Sequence, residues 1–153
     1  MAKKAKSAPN VQMQFKGIEL LSTSLNVPTD PSIQQLNAFG FRINMEVKVD
    51  PINRLLFIVV NISIQSEDTK IILGGVSTSC IFEILNFEEV IKLANNGKYD
   101  IPKILLDTLN AISLSTTRGV MYSTFRGTFL HNAILPIIYP NQIESGAKAD
   151  VSL

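Results

Sequence analysis

The chain has one cysteine, one histidine and no tryptophan in 153 residues. A single cysteine, Cys80, excludes an internal disulfide and any cysteine cluster for a metal. The single histidine, His131, has no cysteine nearby and no carboxylate at ligand spacing, so it reads as a surface or interface residue and no metal site is expected. Charge is also scarce. Charged residues make up 18% of the chain and the net charge is +1, which argues against a dedicated nucleic-acid binder. No apolar run approaches the roughly 18 residues that cross a bilayer, so no membrane insertion is expected. Residues 1–10 carry Lys3, Lys4 and Lys6 without an apolar segment after them, which predicts a flexible basic tail rather than a secretory signal. Gly74-Gly75 lacks the further glycines and the lysine of a phosphate loop. Ser113, Ser115 and Ser123 have no nucleophile-elbow context. No enzyme and no cofactor are expected, and a reducing cytoplasm fits the cysteine count.

Apolar side chains, by contrast, are plentiful. Hydrophobic residues reach 46% and mean hydropathy is +0.22. That surplus must be hidden in a subunit interface or a groove for a client. The length suits one domain with a real core, expected over residues 11–143, with a polar, frayed tail over 144–153.

Periodicity divides the chain into strands and then helices. Residues 13–27 read as a first strand whose apolar parity shifts at Gly17, which predicts a bulge there. A loop follows over 26–35, with Pro28, Asp30 and Pro31 as turn residues. In residues 39–49 the apolar Phe39, Phe41, Ile43, Met45, Val47 and Val49 alternate with Arg42, Asn44, Glu46 and Lys48, as in a half-buried antiparallel strand. The turn Asp50-Pro51-Ile52-Asn53 returns the chain into a strand over 55–65. A fourth strand over 71–85 puts Val76, Thr78, Cys80, Phe82 and Ile84 on one face, with a bulge or bend at Gly74-Gly75. Cys80 therefore reads as a small buried hydrophobe.

The period then lengthens. Asn86 and Glu89 form a capping-box pattern that predicts a short helix over 86–95, with Glu88-Glu89 in its first turn and Asn95-Asn96-Gly97 as its end. Asp100 is the expected cap of a second helix, with Pro102 in its first turn. Ile101, Leu105, Leu109 and Ile112 form its apolar face. Ser115, Thr116 and Gly119 are small enough for close approach of a second helix, which makes them candidate contacts between copies. The helix ends near Tyr122 or continues to about Leu130. Pro136 and Pro140 force residues 134–139 into an extended apolar arm. The fold class is α+β: a four-stranded antiparallel sheet, a short helix, and a long helix packed on the sheet.

Aromatic residues are spread over both regions. Phe39, Phe125 and Phe129 lie near the loop and the arm and either join the core or line an open groove. Arg118 and Arg126 recur in Thr-Arg-Gly and Phe-Arg-Gly steps and read as helix-surface arginines or as contacts for an acidic partner.

Several of these segments in this order resemble the SecB export chaperone family: Cys80-Ile81-Phe82-Glu83-Ile84 closing a glycine-marked fourth strand, the helix entry over 99–106, Ser115-Thr116-Thr117-Arg118-Gly119, and the arm Ile134-Leu135-Pro136-Ile137-Ile138. The resemblance covers roughly residues 13–143. It implies a homotetramer that holds unfolded polypeptides without ATP. It also implies client contacts at Leu36, Phe39, Phe82, Ile84, Leu135, Ile137 and Ile138, to which the aromatic pattern adds Phe125 and Phe129. The partner is either a SecA-type motor or an antitoxin of a toxin–antitoxin system. The chain departs from the acidic members of that family in its near-neutral charge and in having only a short polar segment after Pro140, where they have a further helix. Two other classes share the periodicity: a carrier of a small hydrophobic ligand, and a structural assembly protein that buries its apolar surface completely.

Overall fold

A computed structural model describes residues 10–34, 38–139 and 148–152. The elements in chain order are β1 (Met13–Leu25), α1 (Pro31–Gln34), β2 (Phe39–Asp50), β3 (Leu55–Ser66), β4 (Ile72–Ile84), α2 (Phe87–Val90), β5 (Lys92–Leu93), β6 (Tyr99–Asp100), α3 (Lys103–Phe125) and β7 (Lys148–Ser152). The large sheet has the order β1-β4-β3-β2-β7, and each neighbouring pair is antiparallel. The expected fold class holds: a four-stranded antiparallel sheet with a long helix against it.

Alternation builds the core. Phe41, Ile43 and Met45 of β2, Leu56, Ile58, Val60, Ile62 and Ile64 of β3, and Val76, Cys80, Phe82 and Ile84 of β4 are all buried. They share one face because strand side chains alternate. α3 lays Leu105, Leu109, Ser113, Thr117, Met121 and Phe125 against that face, a run at every fourth residue that keeps one helix stripe inward. A polar seam crosses the contact. Thr78 donates its hydroxyl to Thr117 Oγ1 at 2.7 Å, and Thr117 donates to the Ser113 carbonyl at 2.7 Å.

Local chemistry explains the turns. Asp50 Oδ1 accepts from the amides of Ile52 and Asn53, both at 3.1 Å, and its Oδ2 accepts from Asn53 Nδ2 at 2.7 Å. Arg54 completes the turn at φ 58°. The Asn53 side chain, followed by its backbone amide, holds the Asp50 carboxyl below the usual carboxylate range. The expected bulge at Gly17 is present, since the β1–β4 register shifts between Phe15 and Gly17. A second shift lies between Leu20 and Ser22. Gly74 is required by close approach: a Cβ there would stand 2.7 Å from Leu130 Cδ1 and 2.8 Å from the Ser24 carbonyl oxygen.

Three expectations are corrected. The helix predicted over 86–95 is one turn, Phe87–Val90. After it β5 pairs with β6 around Asn95-Asn96-Gly97, where Gly97 at φ +78° makes the turn of a hairpin rather than the end of a helix. Asn86 does not cap that turn through its side chain. Its Oδ1 accepts from the Gln12 amide at 2.9 Å and its Nδ2 donates to the Asn10 carbonyl at 2.7 Å, so it tethers the start of β1. Within the segment 144–153, the described residues Lys148–Ser152 form β7, which pairs with β2. An open sheet edge accepts backbone hydrogen bonds from any extended segment, including a polar one. α3 is preceded by Pro102 rather than capped by Asp100, and it ends at Phe125, between the two predicted limits, with Gly127 at φ +79° just beyond.

Candidate functional site

Apolar surface left uncovered within the protomer is the feature with functional meaning. α3 packs on β3 and β4, the two central strands. β1 lies outside them and pairs only with β4 among the described residues. Its register sets Met13 opposite Ile84, Phe15 opposite Phe82, Leu20 opposite Thr78 and Leu25 opposite Gly74. These β1 residues thus share the core-side face. α3 packs mainly on β3 and β4, and these β1 side chains are left 37–52% exposed. Phe15 is steadied by an edge-on contact with Phe82, ring centroids 5.2 Å apart. The opposite face of β1 is polar, and Lys16 there pairs with Glu83 at 3.3 Å.

The arm after α3 supplies a second apolar strip. Leu130 sits over Gly74, next to the end of β1. The chain then runs back along α3 and is fixed by Arg118, whose Nε donates to the Leu135 carbonyl and whose Nη2 donates to the Pro136 carbonyl, both at 2.8 Å. Alternate residues diverge. Ala133 and Leu135 are buried, whereas Ile134 is half exposed, Ile137 is 78% exposed and Tyr139 is 65% exposed. The arm is anchored on one side and apolar toward solvent on the other. Arg118 is the residue whose role the sequence left ambiguous. Its signal was the pair of basic steps, but its partners are backbone carbonyls, which no side-chain motif announces.

The candidate client contacts separate sharply. Phe39, Phe82, Ile84, Phe125 and Leu135 are core side chains, at most 3% exposed, so the protomer does not offer them to solvent. Strand alternation turns Phe39, Phe82 and Ile84 inward, the α3 stripe does so for Phe125, and Leu135 is buried in the arm that Arg118 holds. Phe129 and Ile138 are partly buried against the core, and Ile137 is open. Leu36 lies outside the described residues. Of the candidate contacts between copies, Ser115 and Gly119 are exposed and Thr116 is half-buried, on the side of α3 turned away from the sheet. A Cβ on Gly119 would meet nothing within 4 Å. Ile112 and Tyr122 flank them, also exposed, and Tyr122 stacks obliquely on His131 at 5.7 Å between ring centroids.

Chemistry-bearing groups do not converge. Among the described residues no three His, Cys, Asp or Glu side chains stand close enough to hold a metal. Burial pushes the Cys80 thiol up, partly offset by the Ser113 hydroxyl, so Cys80 is a poor nucleophile. Two clefts are open to solvent, the first mainly polar-walled and the second of mixed lining. One, of about 260 Å³, lies between Arg54 and residues 85–89. The other, of about 240 Å³, is lined by Ser22, Ser24, Asn61 and Ser77 together with Ile62 and Val76. Neither is an enclosed apolar cavity of the kind that holds a hydrophobic ligand. No described helix is long and apolar enough to cross a membrane.

No protein-family model and no curated protein sequence matches the chain. Among solved structures, the fold matches that of a SecB-like chaperone of Mycobacterium tuberculosis, solved in complex with a ChAD peptide from the HigA1 antitoxin. The TM-score is 0.56 at 14% identity, over 82% of this chain and 89% of that one. At that identity the likeness concerns the fold. It is of the kind the sequence motifs suggested.

Proposed function

We propose that this protein is an ATP-independent chaperone that holds non-native polypeptides and works as a homotetramer. The observation that carries this reading is the uncovered apolar surface of β1 and the arm, with Phe15, Leu20 and Ile137 turned to solvent, beside a core that needs none of them. A lone protomer gains nothing by exposing a 13-residue apolar edge strand. A protein that shares such surface between its own copies and unfolded clients does. Exposed aliphatic side chains bind sequence-tolerantly, and an arm fixed by Arg118 presents them without first paying the entropy of ordering them.

The small stripe Ser115, Thr116 and Gly119 on the open side of α3 suits helix contact between copies. The M. tuberculosis neighbour, described as SecB-like and solved with an antitoxin peptide, favours an antitoxin-type client over a motor. The outer sheet face points the same way. Arg42, Lys48 and Lys16 are interspersed there with Glu46, Glu19 and Glu83, so no acidic field is available to dock a basic motor. A cytoplasmic location accords with the reduced, buried Cys80.

The test is suppression of aggregation of a chemically unfolded protein, without nucleotide, at micromolar chaperone. Protection at stoichiometric ratios is expected, with a native mass of four chains. Protection that requires ATP, or none for any unfolded substrate, would overturn the reading.

A further inference from the structure

The two flanks of the sheet are finished in different ways. Among the described residues β1 is paired on one side only, whereas β2 is paired on both. All twelve β2 residues have a partner in β3. On the other side, residues 40–44 are paired with β7, with Ser152 opposite Gly40, Val151 opposite Phe41, Asp150 opposite Arg42, Ala149 opposite Ile43 and Lys148 opposite Asn44. This edge borders the core directly, because Phe41 and Ile43 are 1% and 0% exposed. The strand laid on it is a modest occupant. It has five residues, KADVS, and at the two register positions beside Phe41 and Ile43 it offers only a valine and an alanine.

Strand addition draws its affinity from main-chain hydrogen bonds, which any extended chain can make. Its selectivity comes from alternate side chains. A five-residue ladder on a single edge is marginal by itself. It persists because the segment is tethered, which gives it an effective concentration in the millimolar range. A polar stranger loses against such a competitor. An extended chain with leucine, isoleucine or phenylalanine at the two positions opposite Phe41 and Ile43 buries more apolar area and wins.

We propose that the β2 edge over residues 40–44 is a strand-addition site for extended, apolar-alternating segments of non-native polypeptide, and that Lys148–Ser152 is a built-in placeholder that such a segment displaces. This rests on the chaperone reading and adds a second mode of contact to it. The exposed apolar strips bind side chains, and the β2 edge binds backbone. The placeholder also keeps that edge from pairing with other strands while no client is present.

Two variants of the full chain test it from opposite sides. A149P/D150P removes amides at adjacent positions, so one falls on the bonded side of β7 whatever its phase. Asn44→Cys with Lys148→Cys places two thiols at directly opposed positions, within disulfide reach across an antiparallel pair. The native Cys80 is buried and does not interfere. The probe is a reduced, carboxymethylated protein that cannot refold, and the readout is its Kd by fluorescence anisotropy. If the placeholder covers the edge about nine-tenths of the time, breaking it tightens binding about tenfold. The oxidised double-cysteine variant binds more weakly than the parent, and reduction restores it. Equal affinity for the parent and both variants overturns the proposal and leaves the chaperone reading standing. A rise in native mass of A149P/D150P with unchanged affinity also overturns it, by giving the edge to a second copy. Absence of probe binding by every form removes both readings.

Discussion

β1 and β3 are nearly equal in length, 13 and 12 residues, and both are rich in aliphatic side chains, yet they meet opposite fates. No β3 residue is exposed, and eight of its residues have less than a tenth of their surface open. No β1 residue is buried. Place in the strand order accounts for the difference. β3 has a strand on either side and α3 above it, whereas among the described residues β1 has one neighbouring strand and lies outside the main contact of α3 with β3 and β4. Apolar content therefore marks a surface that must be covered by something, and the protomer covers only the central part of its sheet. Two register shifts in β1 increase its twist. With Lys16 on its polar face they make indiscriminate stacking of flat edges less favourable.

Substitution at matched positions sharpens this contrast. Ile58→Ala, in the fully buried centre of β3, is expected to cost about 2–5 kcal/mol, read as a lower urea midpoint. Leu20→Ala in β1 is expected to change the stability of the dissociated chain by less than about 0.5 kcal/mol while weakening self-association or client binding. A large loss of monomer stability from Leu20→Ala would mean that β1 belongs to the core after all.

The arm repeats the contrast over three residues. Leu135→Ser removes a buried side chain and leaves a hydroxyl in its place, at about 2–4 kcal/mol, so melting temperature falls first. Ile137→Ser leaves melting unchanged and lowers client affinity, because each apolar side chain withdrawn from a contact costs on the order of 1–3 kcal/mol. Unchanged affinity in folded Ile137→Ser would remove the arm from the site. Arg118→Met keeps the aliphatic stem and deletes both hydrogen bonds to the arm, an expected loss of about 1–3 kcal/mol. It should be seen as faster amide exchange confined to the arm rather than as global unfolding.

The smallest expected effect concerns the β2–β3 turn, far from either apolar strip. The folded Asp50 carboxyl titrates below its unfolded value. Its stabilising contribution is therefore complete above the unfolded pKa of about 3.9 and is lost as pH falls through the lower folded value. Asp50→Asn should be less stable than the parent at pH 6, and the gap should close on acidification below pH 4. A gap that stays constant to pH 2 would show that the turn owes nothing to the charge.

The β2 alternation, the Asp50 turn, the Gly17 bulge and the proline-started long helix were all written locally. Each depends on residues within a few positions of one another, so a one-dimensional pattern suffices to find them. The one-turn α2 was misread for the same reason. Asn86 and Glu89 look like a capping box, but the Asn86 side chain is engaged by the start of β1, some 75 residues away in sequence. Burial was harder to foresee than periodicity. An apolar face calls for cover without naming what covers it: Phe82 and Ile84, which the family resemblance offered as groove contacts, are enclosed by α3 and the sheet, while Leu20 on the flanking β1 stays open.

Two further outcomes had no local signal that named the partner: the guanidinium of Arg118 reaching carbonyls 17 and 18 residues onward, and Lys148–Ser152 pairing with β2. Backbone hydrogen bonding is almost indifferent to side-chain identity. Which segment closes an edge is therefore settled by where the chain passes once the strands are ordered. The residues alone determined the kinds of element and their faces. Strand order and packing determined which apolar faces stayed open.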